Sequence, residues 1–372
     1  MRVLLLVTSF IFISCQHRGT RAPASVAEVD SNAIHCYASL DLDNEFKQDP
    51  FYRPAIMQKG KYKGECVDNR ERRSIFILDH NDKRLGELYG IKPKSNHFYF
   101  VNFKHHNKYY LAEFEKGSIT QSFLVFEKFL EASSAKYSEK KKLRLFRNIV
   151  LSGHAQLRFV LKKGKTLKLY SQIPQKKRIA PLKIKDFAFA MFAVRPKSTS
   201  GELYDPLGDG MNNGYVLSQN FMSTYDVALT YKDYVVNDTE VSQFRFEEAK
   251  FDGNKAFEAL LKFSHDDYIR KKQVFYHTLT NNCITSMFVG IDAGAHSENI
   301  ISKGIGAVRD IFRPIKASTG GKEWNPAFVL PALYRRGLLK RQGSEIISLN
   351  EEVCQILKGE DFQDVKSMCD SL

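Results

Sequence analysis

The chain has 372 residues, 43% hydrophobic and 12% aromatic, enough apolar material for one large domain or two smaller ones. Lysine and arginine outnumber aspartate and glutamate by 56 to 42, a formal charge of +14 that points to an anionic partner, although a generally basic proteome would account for it equally well. Zinc-finger spacing, a phosphate-binding glycine loop and an RNA-binding aromatic motif are all missing, so nucleic acid is set aside as a partner.

Met1 and Arg2 are followed by "VLLLVTSFIFIS" and then Cys15, a charged start, an apolar run and a small residue before a cysteine. The run is too short to span a bilayer, which takes about 20 residues. The stretch "FISC" resembles a lipobox. It predicts a signal peptide over 1–14, diacylation of Cys15 and a flexible tether over 15–35. Gln16 in place of aspartate directs such a lipoprotein to the periplasmic face of the outer membrane, so the protein is expected to be exported and anchored to a membrane through the Cys15 lipid. An ordinary signal peptide cut elsewhere is the alternative. Six cysteines are present: Cys15, Cys36, Cys66, Cys283, Cys354 and Cys369. Cys36 with Cys66 and Cys354 with Cys369 are the simplest local disulfides, other connectivities staying open. That pairing leaves Cys283 alone.

Residues 36–95 are a mixed, charged N-terminal extension. "HFYFVNFKHHNKYYLAEFEKG" (97–117) reads as two strands around a turn at His105 to Lys108, where His105 and His106 belong to a solvated loop and not to a metal site. "ITQSFLVFEKFLEAS" (119–133) has apolar residues at helical spacing, and "KYSEKKKLRLFRNIV" (136–150) predicts a further helix with a wet lysine face. In "LSGHAQLRFVLKKGKTLKLYSQIP" (151–174), Ala155, Leu157, Phe159 and Leu161 alternate with His154, Gln156, Arg158 and Val160, which predicts a strand with one apolar face. "KKGK" then reads as a hairpin turn and "TLKLYSQI" as the returning strand. "DFAFAMFAV" (186–194) is another strand, and 196–215 a long loop rich in Gly, Pro, Ser and Asn whose "DPLGDG" does not fit a calcium loop. Residues 240–252 predict a strand, 254–275 an amphipathic helix, and the stretch after Cys283 a helix ending near Gly290 or Gly294.

Cys283 follows Asn281 and Asn282 at the start of that last helix. An asparagine N-cap and the positive end of the helix stabilise a thiolate there, and an imidazole would complete a nucleophile and its base. His154, on a strand, supplies that imidazole. His277 is closer in the chain but precedes the helix, and ranks below His154.

"SGHAQLRF" followed by "YHTLTNNC" resembles the Lnb-type N-terminal periplasmic domain family, with Gly153, His154, Leu157, Arg158 and Phe159 matching the first element and Tyr276, Asn282 and Cys283 the last. The resemblance covers roughly 150–295. It implies an α+β fold, an antiparallel sheet packed on helices with a circularly permuted papain-like (NlpC-like) core. The catalytic domain would span 96–300, with additions over 36–95 and 301–372. It also implies a Cys–His acyltransferase that carries an acyl group of a lipid or lipoprotein through a thioester on Cys283, with no cofactor and no metal. This chain departs from the characterised branch in having no multi-helix membrane part.

The hairpin over 151–174 sets Gln172 opposite His154 as the group that orients the imidazole. Arg158, on the same strand face, binds an anionic head group or pairs with a carboxylate. Asn282 and Tyr276 support the site. Two other functions fit the same residues. One is a thiol amidase or peptidase acting on peptidoglycan peptides. The other is an inactive envelope-binding lipoprotein, expected if the His154 ring lies away from Cys283.

Overall fold

The computed structural model describes residues 35–41, 44–127, 154–175, 179–199, 205, 208–235, 241–270, 273–278 and 281–296, together with 330, 333–334, 336–339, 347–348 and 352. The signal peptide, Cys15, nearly all of the tether, the helix expected over 136–150, and Cys354 with Cys369 lie outside these residues.

The architecture is α+β: a large, mostly antiparallel sheet packed against helices. Its strands are β3 (Phe76–Leu78), β4 (His97–His105), β5 (Lys108–Glu115), β6 (Ile119–Glu127), β7 (His154–Leu161), β8 (Leu167–Ser171), β9 (Leu182–Ile184), β10 (Asp186–Val194), β11 (Val216–Ser223), β12 (Val241–Arg245) and β13 (Ile347–Ser348). They run in the order β13-β12-β6-β7-β10-β11-β4-β5-β8-β9, with β3 paired to β4 beside that path. Only β4 and β11 are parallel, meeting at Lys104 and Met222. Through β3 and β13, both chain segments flanking 96–300 contribute to this sheet.

A separate ribbon, β1 (Ala55–Ile56) with β2 (Cys66–Val67), precedes the sheet. The Cys36–Cys66 disulfide ties it to α1 (Cys36–Ser39), with the Cα atoms 5.5 Å apart. Short helices α2 (Asn44–Gln48) and α3 (Lys83–Glu87) follow.

The β4–β5 hairpin forms as expected, but His105 is the last residue of β4 and largely buried, its Nδ1 2.9 Å from Ser223 Oγ, and not part of a solvated loop. His106 and Asn107 fill its two-residue turn at φ 49° and 58°, a conformation asparagine tolerates and a right-twisted hairpin requires. The segment from 119 is a strand, not a helix. Phe123, Leu124, Val125 and Phe126 are buried on both faces between β7 and β12, and a doubly buried strand carries an unbroken apolar run that spacing alone cannot separate from a helix.

The hairpin expected over 151–174 does not form. Both edges of β7 are taken, by β6 and β10, and both edges of β8, by β5 and β9. Gly164, at φ 81°, turns the chain away, and β8 joins the sheet beyond four intervening strands. β10 matches its predicted bounds, while β12 is shorter than the 240–252 expected.

Helices α5 (Gly253–Tyr268) and α6 (Cys283–Gly294) cover one face of the sheet. Their apolar side chains, among them Phe257, Leu260, Ile284, Met287 and Ile291, share one core with Ala155, Leu157, Phe159, Phe187, Phe189 and Met191. Gly290 lets the helices approach closely: a Cβ there would lie 2.6 Å from Leu260 Cδ1. The third long helix, α4 (Thr224–Val235), leaves directly from β11.

Candidate functional site

Asn282 caps α6 as expected. Its Oδ1 accepts from the backbone N–H groups of Ile284 (3.0 Å) and Thr285 (3.1 Å), and the Thr285 hydroxyl accepts from the Asn282 N–H, a reciprocal box. Asn282 Nδ2 donates to the Thr278 carbonyl at 2.7 Å and Asn281 Nδ2 to the Phe275 carbonyl at 2.8 Å, so the two asparagines also hold the loop before the helix. Tyr276 belongs to that loop, its N–H bonded to the Tyr215 carbonyl and its ring edge-on to Tyr215. Replacing Asn282 by alanine should cost about 1–2 kcal/mol, read as a lower urea midpoint at unchanged slope.

Cys283 opens α6, forms no disulfide and is 7% exposed within the helix-face core. The far end of α6 lies where Asp252 N–H meets the Gly294 carbonyl, and the adjacent Gly253 packs on Ile119 and Ser122 of β6, beside Leu161 and Phe159. Cys283 is therefore at the opposite end of the helix, toward the start of β7, where His154 is.

The two side chains nevertheless belong to opposite faces of the sheet. Ala155, Leu157 and Phe159 of β7, with Phe187, Phe189 and Met191 of β10, face α6. Alternation sends His154 and Phe192 the other way. The His154 ring lies 5.4 Å from that of Phe192, over which the Arg72 guanidinium stacks at 3.6 Å. His154 Nε2 is buried and makes no hydrogen bond. Burial first, and the positive charge of Arg72 second, push the imidazole down to about 4, so it is neutral at pH 7.

Gln172 does not reach His154, which corrects the expected orienter. β7 and β8 are five strand spacings apart, roughly 24 Å along the sheet. Its Nδ-equivalent amide nitrogen, Nε2, donates to both Asp49 oxygens (2.9 and 2.8 Å) and to Asn102 Oδ1 (2.9 Å), and its Oε1 accepts from the Asn102 N–H. Asp49 in turn holds Arg73 at 2.5 Å, and the guanidinium lies against Tyr109, Tyr52 and Phe46. Arg158 takes the carboxylate role of its two alternatives. It pairs with Asp186 and with both oxygens of Glu352 (2.5 and 2.7 Å), and donates to Gln243 at 2.9 Å.

A second constellation occupies the face to which His154 points, and sequence reading missed it. Lys104 of β4 is 6% exposed and lies level with Met222 of β11. Asn220 of β11, two residues before Met222, the partner of Lys104, is 2% exposed and its Nδ2 has no hydrogen-bond partner. It pairs across to Ala190, two residues before Phe192. Tyr109, near Lys104 on β5, buries its hydroxyl without a hydrogen bond. Lys104 is held below its ordinary pKa by burial and by Arg72, which also acts on His154. The available signal was a lone lysine within the apolar strand "FYFVNFK".

His35, Cys36 and Cys66 place three metal-ligand atoms within 4.8 Å of one another, but the two sulfurs are bonded to each other, which leaves no thiolate for an ion. No helix among the described residues is long and apolar enough to cross a membrane. No protein family, curated protein or solved structure matches this chain.

Proposed function

We propose that this protein is an exported binding protein, anchored at the envelope through Cys15, whose papain-like core resembles the Lnb-type domain but does not operate a Cys283–His154 pair. The observation that carries this reading is the split of the two side chains onto opposite faces of the sheet. A thiol nucleophile needs access, and Cys283 is 7% exposed within the core of the helix face.

Thioester acyl transfer to or from a lipid or lipoprotein is the second reading. The capped helix start at Cys283 and its position at the His154 end of β7 favour it. Reversing the facing of His154 would require a one-residue register slip in β7, which would also drive Ala155, Leu157 and Phe159 out of the core.

Alkylation separates the two. For the binding protein, iodoacetamide should modify Cys283 slowly between pH 6 and 8, with equal rates in the wild type and in His154→Ala. Fast alkylation below pH 7 that slows at least tenfold in a folded His154→Ala variant would establish the thiol enzyme instead.

A further inference from the structure

We infer that His35, Cys36 and Cys66 form a redox-gated site for zinc or a cation of similar softness, of which the disulfide is the metal-free state. The site lies in the N-terminal extension, goes beyond the binding-protein reading and does not depend on it. The His35 ring is directed at the sulfurs, with Nε2 3.5 Å from Cys66 Sγ and 3.7 Å from Cys36 Sγ. His35 is the N-cap residue of α1 but makes no capping bond, so the helix does not account for this orientation. In a tetrahedral site with Zn–S bonds of about 2.3 Å and a Zn–N bond of about 2.05 Å, nitrogen and sulfur ligands stand roughly 3.6 Å apart. Both contacts already match that edge. Two sulfur ligands of one ion stand roughly 3.8 Å apart, so the S–S bond must break before a cation enters. The Cα atoms, 5.5 Å apart, can stay in place while the two side chains rotate.

The surroundings suit a neutral metal centre. Cys36 and Cys66 are buried with Leu40, Tyr52 and Ile56, while His35 is exposed and forms the side by which an ion enters. Two thiolates cancel the charge of a divalent cation, so the loaded centre carries no net charge into this apolar enclosure. Three protein ligands leave the fourth position open to water or to a further ligand. Loading is a two-electron step. A dithiol reductant attacks the Cys36–Cys66 bond and leaves as a disulfide, passing two electrons and two protons to the protein sulfurs. The Cys36 thiol then has an acceptor in place, the Ala55 carbonyl oxygen 3.7 Å from its Sγ. Zinc displaces both thiol protons to solvent and takes the lone pair of His35 Nε2, while Nδ1 keeps the ring proton. A disulfide oxidant reverses the step: it takes two electrons from the thiolates, the S–S bond re-forms and the ion is released. Metal occupancy thereby follows the redox state of the surroundings.

The test is titration of the full-length protein with cobalt(II), a coloured stand-in for zinc, before and after reduction by a phosphine that is then removed without air. The reduced wild type should develop a thiolate-to-metal charge-transfer band that saturates at one ion per chain and is bleached by zinc. The oxidised wild type should develop none. Cys66→Ser should lose the band. His35→Ala, a change at an exposed position, should stay folded and bind about tenfold or more weakly, since even partners one bond removed from an ion matter that much. Zinc should also slow re-oxidation of the reduced wild type by oxidised glutathione. A reduced wild type with no saturable band overturns the site, and so does a band that Cys66→Ser retains, which would belong to the other cysteines. Unchanged affinity in His35→Ala overturns it too, as does a loss of circular dichroism on reduction that zinc does not restore. None of these readouts involves the alkylation rate of Cys283, so failure here and failure of the binding-protein reading are distinguishable.

Discussion

Asp49→Ala is expected to destabilise the protein by about 3–5 kcal/mol, the cost of leaving a buried charge without its partner. Asp49 and Arg73 have side chains 5% exposed and 2.5 Å apart, and the guanidinium is enclosed by Phe46, Tyr52 and Tyr109. Removing the carboxylate also takes an acceptor from Gln172 Nε2, which keeps Asn102 Oδ1, and strands the Phe51 N–H, which donates to Asp49 Oδ1 at 2.9 Å. The loss is expected as a lower urea midpoint with little change in slope. The double replacement Asp49→Leu with Arg73→Met should recover most of it, because a buried pair exchanged for apolar residues of similar volume is often neutral. A single-variant loss below about 1 kcal/mol would mean that water reaches Arg73. The residues of this cluster are at 49, 73, 102 and 172, and it joins the N-terminal extension to the sheet.

Acid should unfold the protein well above the ordinary carboxylate range. Burial pushes His154 and His105 down to about 4, and holds His97, His265 and His277 below their usual value. A histidine whose folded pKa is depressed contributes its full stability above the unfolded value near 6.5, and that contribution is lost as pH falls toward the folded value. At about 1.4 kcal/mol per unit, His154 and His105 can each remove at most about 3 kcal/mol between pH 6.5 and 4. Asp267 acts oppositely. Burial raises it to about 6, so its protonation below that pH recovers up to about 3 kcal/mol. The net expectation in phosphate-free buffer is a loss of a few kcal/mol from pH 6.5 to 4.5, made smaller by His154→Phe, whose ring fits beside Phe192 without titrating. A flat stability profile over that range would show that these imidazoles are solvated.

Much of the local structure was legible in the residues because it depends on neighbours in the chain. The alternation in "DFAFAMFAV" marks β10, Asn107 in a two-residue turn marks the β4–β5 hairpin, and Asn282 before an apolar periodic stretch marks the start of α6. The disulfide between Cys36 and Cys66 agrees with the simplest local pairing, one of several connectivities that the sequence left open. The facing of His154 was within reach as well: alternation already set it opposite Ala155, Leu157 and Phe159, and the apolar side of α6 can only be buried against those three.

What the tertiary structure alone decided is which strand lies beside which. β7 and β8 are consecutive and joined by a good turn, yet hydrogen bonding to β6, β10, β5 and β9 satisfies every edge and separates them by four strands. Gln172 thereby moved from the expected histidine to Asp49, 123 residues away in the chain. The apolar run at 123–126 became a strand because both faces found cover. Lys104, Asn220 and His154 come to the same face of the sheet only through the pairing order of four strands, and pairing order is set by long-range burial that no local pattern encodes.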